Sequence, residues 1–196
     1  AGLVQLKSLT RLKRIAFNGT GMTLPGVIRL FVEFQQRSIG DALTAMGLAT
    51  RDDQGHVAAV NVAGTSFGDQ EMQYIPQLSE LKELHIVATC VTDAGMPHVR
   101  KLRKLEQLYL ARCDIGDTGL SSISGLRKLR TINIYGTQVT STGLEHLMDL
   151  TELQHLLITD LKLKPAVKCK LLEDLDFSAV QIEILEECLA QSSGLI

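Results

Sequence analysis

The residues of this chain that can do chemistry are few and scattered. Four cysteines stand at 90, 113, 169 and 188 and five histidines at 56, 85, 98, 146 and 155. They form no Cys-x-x-Cys pair, and no histidine lies at metal-ligand spacing from a cysteine. Asp174 and Asp176 share one face of an extended segment and offer a carboxylate pair for a cation, although a solvated terminal strand is the preferred reading. There is no Gly-x-Ser-x-Gly turn, no phosphate loop and no His-Glu-x-x-His. Neither catalysis nor a metal or cofactor is expected. What remains is recognition chemistry. Tyr109, Tyr135, Arg112, His85, Asn133 and His155 supply aromatic faces, a guanidinium and polar rings, and tyrosine and arginine are the types that anchor interfaces. A second group is basic: Arg100, Lys101, Arg103 and Lys104, then Arg127, Lys128 and Arg130. It suits an acidic partner or phosphates, against the blander reading of a solvated rim.

A repeat places these residues. Segments beginning Leu84-His-Ile, Leu108-Tyr-Leu, Ile132-Asn-Ile and Leu156-Leu-Ile start at 84, 108, 132 and 156, a constant step of 24. Within each, alternation points the first and third residues inward and the second outward. Five residues after Val60, Leu84, Leu108 and Ile132 stands a small donor, Thr65, Thr89, Cys113 and Thr137, while the unit at Leu156 has Leu161 there and loses it. Its hydroxyl or thiol can satisfy carbonyls where the chain leaves the strand, at about 1 kcal/mol net per bond. Asp69, Asp93, Asp117 and Ser141 occupy expected helix N-cap positions. Gly95, Gly119 and Gly143 follow, and their recurrence points to close approach between neighbouring helices. One strand plus one returning helix per unit, stacked in register, predicts an α/β right-handed solenoid. Its parallel sheet lines a concave face and its helices a convex face.

The chain is expected to be a single domain with irregular parts. Residues 1–36 hold partial first repeats, with Ala1-Gly2-Leu3 matching the second half of a unit and a strand at Ile15 and Phe17. On that reading the chain begins inside a repeat. Residues 37–56 are expected to insert a helix over 37–47 and a turn at Arg51-Asp52-Asp53-Gln54-Gly55. Regular units run from 57 to 163, and 164–196 form a degenerate last repeat and cap, with a strand near Leu175 and Phe177.

Val91-Thr92-Asp93-Ala94-Gly95-Met96 and Ile115-Gly116-Asp117-Thr118-Gly119-Leu120 carry a resemblance. The chain resembles leucine-rich repeat proteins with threonine or cysteine in the ladder position, of the bacterial or F-box-adaptor kind. The resemblance implies a horseshoe solenoid and a protein-binding role. An alternative is the recognition or regulatory part of a larger enzyme, such as a ubiquitin-ligase-type adaptor.

Composition agrees. Hydrophobic residues make up 45% but aromatics only 4%, with no tryptophan, as suits aliphatic layers. A net charge of −2 gives no global attraction for nucleic acid or anionic membrane. A protein or peptide partner and a monomeric state are expected. The lack of disulfide-like cysteine spacing and of a leader-type segment favours the cytoplasm. The outward strand column reads Ala16, Asn61, His85, Tyr109, Asn133, Leu157, Asp176, with Arg14, Glu83, Gln107, Ala111, Thr131, Tyr135, His155 and Thr159 beside it. Seven strands of this width project roughly 300 Å², whereas a stable interface takes about 800 Å² per partner. Loop edges must therefore contribute, or the ligand is a peptide-like segment.

Overall fold

The computed structural model describes residues 23–29, 32, 38–158 and 181–183, the last three as backbone only. Its sheet has seven strands in sequential order: β1 (Ala49–Arg51), β2 (Val57–Asn61), β3 (Glu83–His85), β4 (Gln107–Tyr109), β5 (Thr131–Asn133), β6 (His155–Leu157) and β7 (Gln181–Glu183). Val60, Leu84, Leu108, Ile132, Leu156 and Ile182 are successive Cα partners in a parallel ladder. Each central residue is apolar, so one register fills the core with the whole apolar set and a slip of one would expose it. Leu84, Leu108, Ile132 and Leu156 are fully buried.

The opposite wall is built from α1 (Leu24–Arg29), α2 (Ile39–Ala45), α3 (Asp69–Met72), α4 (Asp117–Ser121) and α5 (Ser141–Leu144), continued by 3₁₀ turns at Ile75–Gln77, Met96–Lys101 and Glu145–Leu147. The returning helices are thus short, one or two turns each. Proline at the start of two of the 3₁₀ turns, Pro76 and Pro97, suits them to the tighter geometry. A 3₁₀ turn also advances about 2.0 Å per residue against about 1.5 Å for an α-helix, covering the wall with fewer residues.

The ladder residues act as expected. Thr65 Oγ1 donates to Val62 O at 2.6 Å, Thr89 Oγ1 to Ile86 O at 2.7 Å and Thr137 Oγ1 to Ile134 O at 2.7 Å. Cys113 differs: its Sγ reaches back one unit to Ile86 O at 2.8 Å and lies 3.4 Å from Thr89 Oγ1. The residue just before each ladder position adopts positive φ: Gly64 (68°), Ala88 (50°), Arg112 (58°) and Gly136 (63°). Glycine takes this conformation freely, while for alanine and arginine it costs about 1–2 kcal/mol.

The aspartates are not the N-caps. Asp69, Asp117 and Ser141 are the first helical residues, preceded by caps Gly68, Gly116 and Thr140. The carboxylates instead cross to the next unit. Asp69 accepts from Thr92 N at 2.8 Å and Thr92 Oγ1 at 2.7 Å. Asp93 accepts from Gly116 N at 2.7 Å, and Asp117 from Thr140 N at 2.7 Å and Thr140 Oγ1 at 2.6 Å. Each carboxylate sits where a side chain at the next unit's glycine would fall. A Cβ on Gly95, Gly119 or Gly143 would lie 2.5, 2.3 or 2.3 Å from the aspartate Oδ1 of the preceding unit. Close approach explains the glycines, as expected, but the approaching group is a carboxylate that joins units.

The irregular region caps the sheet edge. Ser38 Oγ accepts from Asp41 N at 3.1 Å to start α2. Asp52 Oδ1 accepts from Gln54 N at 3.0 Å and His56 N at 2.8 Å, closing the turn that returns β1 onto β2. β1 is antiparallel to β2, a strand the sequence reading lacks. It holds the place beside β2; Ala16 and the strand proposed at 15–17 lie outside the described residues. At the other end, β7 follows β6 by 26 residues, 182 − 156, rather than 19. Gln181-Ile182-Glu183 repeats the polar–apolar–polar pattern of the earlier strands, which Leu175 and Phe177 had masked in the sequence. Leu175 and Phe177, like Asp174 and Asp176, lie outside the described residues.

Candidate functional site

The sheet face turned away from the helices carries the proposed patch. In register across β2 to β6 run Asn61, His85, Tyr109, Asn133 and Leu157. The His85 and Tyr109 rings stack with centroids 4.1 Å apart and planes 11° from parallel. His85 Nε2 meets Glu83 Oε1 at 2.5 Å, and Tyr109 Oη donates to Gln107 Oε1 at 2.9 Å. Partial burial, and after it the charge of Glu83, push the Tyr109 hydroxyl above its ordinary value, so it stays a donor at neutral pH. Asn133 is committed to its own backbone: its Oδ1 accepts from Tyr135 N at 2.9 Å, as Asn61 Oδ1 accepts from Ala63 N at 3.1 Å.

Arg112 and Tyr135 form the second half. The Arg112 guanidinium carbon stands 5.4 Å from the Tyr135 ring centroid, a cation–π contact. The backbone fixes this pair, since Arg112 N donates to Tyr135 O at 2.7 Å. Ala111, expected outward, is 5% exposed, in the stack between the larger Val87 and Tyr135. His155 stands apart from the cluster. It is the register partner of Thr131, one column over, with β4 and β5 between it and His85. Among the described residues no group of His, Cys, Asp or Glu could hold a metal ion. No helix among them is long and apolar enough to cross a membrane.

The basic residues do not form one uniform ridge. Lys104 Nζ pairs with Glu80 Oε2 at 2.5 Å, and that hydrogen bond holds Glu80 below the ordinary carboxylate range. Arg130 Nη2 pairs with Glu152 Oε2 at 3.1 Å. Arg103 Nη1 donates to Gly125 O at 2.8 Å. Arg100, Lys101, Arg127 and Lys128 are exposed, with no acidic partner among the described residues.

Sequence reasoning missed two features that had signals. Glycine at 64 and 136, three 24-residue steps apart, marks the positive-φ phase that Arg112 shares. Asp69, Asp93 and Asp117 each precede a glycine by 26 residues, which marks the inter-unit lock.

Residues 101–124 match the family described as Leucine Rich repeat, a stretch that contains β4 and α4. This match and the 24-residue register of the parallel sheet give the described residues the fold of a leucine-rich repeat solenoid. No curated protein matches the sequence. Among solved structures, an internalin (inlF) of Listeria monocytogenes str. 4b F2365 is similar at 21% identity, over 83% of this chain and 51% of its own, with a TM-score of 0.48. Pollen receptor kinase 3 is similar at 13% identity, over 92% of this chain and 90% of its own, with a TM-score of 0.44. The PEPR1–AtPEP1 structure is similar at 18% identity, over 57% of this chain and 16% of its own, with a TM-score of 0.42. The chain spans about half the length of the internalin, 51%.

Proposed function

We propose that this chain is a non-enzymatic interaction module that engages a protein or peptide partner on the sheet face around β3, β4 and β5, with the adjoining loop edge. Repeat solenoids present extended surfaces of this kind. The observation that carries the reading is Arg112. It occupies a left-handed position that glycine fills in two other units, and its guanidinium rests on Tyr135 beside the stacked Tyr109 and His85. Strain kept at an exposed cluster that adds nothing to the leucine core is the pattern of a binding site. The partner is protein rather than nucleic acid, because the net charge is −2 and no aromatic residue interleaves with the basic residues at 100–104 and 127–130. The module acts as a monomer. Free Cys90 and Cys113 support a reducing compartment, the cytoplasm.

Photo-crosslinking tests the face. A crosslinking residue at Val87, on the sheet side, is expected to capture the partner, and the adduct is lost when Tyr109→Ala and Arg112→Gly are added. The same residue at Thr118, on the helix wall, gives none. Capture from Thr118 alone would place the site on the other wall.

A further inference from the structure

We propose that a cleft on the helix wall, between the 3₁₀ turn Met96–Lys101 and the end of α4, binds a phosphate group. The cleft has a volume of about 380 Å³ and is lined by Arg100, Arg103, Ser121, Ser122, Ser124 and Gly125, with Pro97 at its edge. That volume lies in the range of small-ligand pockets.

Charge sets this cleft apart from the rest of the basic surface. A neighbouring cleft of about 130 Å³ is lined by Glu106, Lys128, Arg130 and Glu152, two acids against two bases. The larger cleft has two guanidiniums and no acid among its lining residues. Lys104, next in sequence to Arg103, is neutralised by Glu80, so the positive charge lining this cleft is that of Arg100 and Arg103.

The cleft is also positioned. Arg103 crosses to the following unit and its Nη1 donates to Gly125 O at 2.8 Å. This fixes the planar guanidinium while using one of its five N–H groups, and the free edge suits paired oxygens. Gly125 makes room for it, since a Cβ there would lie 2.8 Å from Arg103 Nη1. Ser121 Oγ donates to Thr118 O at 2.6 Å and is spent as a donor. The hydroxyls of Ser122 and Ser124 make no hydrogen bond among the described residues and remain available to donate. Two positive charges, that of Arg103 held in place, plus hydroxyl donors fit a tetrahedral dianion better than a planar carboxylate, which one arginine edge satisfies alone. The site lies on the wall opposite the sheet-face patch and does not depend on it.

The test is an NMR titration of the intact chain with inorganic phosphate and, separately, O-phosphoserine, at constant ionic strength set with chloride. Saturable shifts are expected at the amides of 121–125 and at the side-chain Nε of Arg100 and Arg103. Arg100→Gln with Arg103→Gln is expected to weaken binding at least tenfold, and Gly125→Ala several-fold by displacing Arg103. Arg127→Gln, an exposed base outside the cleft, leaves binding unchanged. Thermal melts of each variant report folding, and Arg100→Gln alone, at an exposed side chain, serves if the double variant melts early. Equal affinity for the two probes identifies a free anion as the ligand, and tighter binding of O-phosphoserine identifies a phosphorylated side chain. Non-saturating shifts, or equal losses in Arg127→Gln and the cleft variants, overturn the proposal.

Discussion

Gly119→Ala is the substitution whose outcome depends most on the aspartate lock. In an exposed helix, alanine in place of glycine stabilises by about 1 kcal/mol. Here the new methyl would sit 2.3 Å from Asp93 Oδ1, 3.0 Å from Ile115 Cγ2 and 3.1 Å from Met96 Cγ. The two apolar contacts can yield by a few tenths of an ångström. The carboxylate cannot move without releasing Gly116 N, which it holds at 2.7 Å. Losing that charge-assisted bond costs about 1.5–3 kcal/mol, which outweighs the gain in helix propensity. The net expectation is a destabilisation of about 0.5–2 kcal/mol, read by urea denaturation from the midpoint at constant slope. The sign should depend on the neighbour. In an Asp93→Ala background the obstructing oxygen is gone, and the cost of Gly119→Ala falls by at least about 1 kcal/mol, a coupling that a double-mutant cycle isolates. Equal costs in the two backgrounds, or a stabilising Gly119→Ala in the parent chain, would refute the lock.

Leu108, fully buried in β4, should lose about 2–5 kcal/mol on Leu108→Ala, with hydrogen exchange rising first in the adjoining units. Glu71 is buried, and its desolvation outweighs the bond it accepts from Gly68 N, so its folded-state value lies above the ordinary 4.5. The folded state therefore holds that proton more tightly. Stability contributed at low pH is lost as pH climbs from 4.5 through the folded value. Glu71→Gln should flatten that part of a pH–melting curve, because the amide oxygen still accepts from Gly68 N. Arg112→Gly relieves the left-handed strain but adds unfolded-chain freedom, so its melt should match or exceed the parent's, within about 1 kcal/mol.

The solenoid was legible because it is periodic. Leu84, Leu108, Ile132 and Leu156 announce both strand and register, and the threonines and Cys113 mark the bend. Elements outside the period were harder to read. β1 is three residues with no alternation to show, and its pairing is set by the Asp52 turn and the edge of β2. Asp69, Asp93 and Asp117 look like caps because a carboxylate at a helix start is favourable either way. Only the partner 23 residues on distinguishes a local bond from one between units. On the sheet face, side-chain type and direction pointed to Tyr109, Tyr135 and Arg112. The stacking of His85 and the positive φ of Arg112 depend on inter-strand distance and backbone twist, which residue types do not encode.

The central claim is that the sheet face binds and the leucine core merely holds it. It is tested most directly by measuring the affinity of the crosslinked partner, once isolated, for the parent chain and for Tyr109→Ala, with melts in parallel. The expected result is a Kd at least about tenfold higher, about 1.4 kcal/mol, with the melting transition unchanged. An unchanged Kd, or a loss of affinity matched by an equal loss of stability, would contradict it.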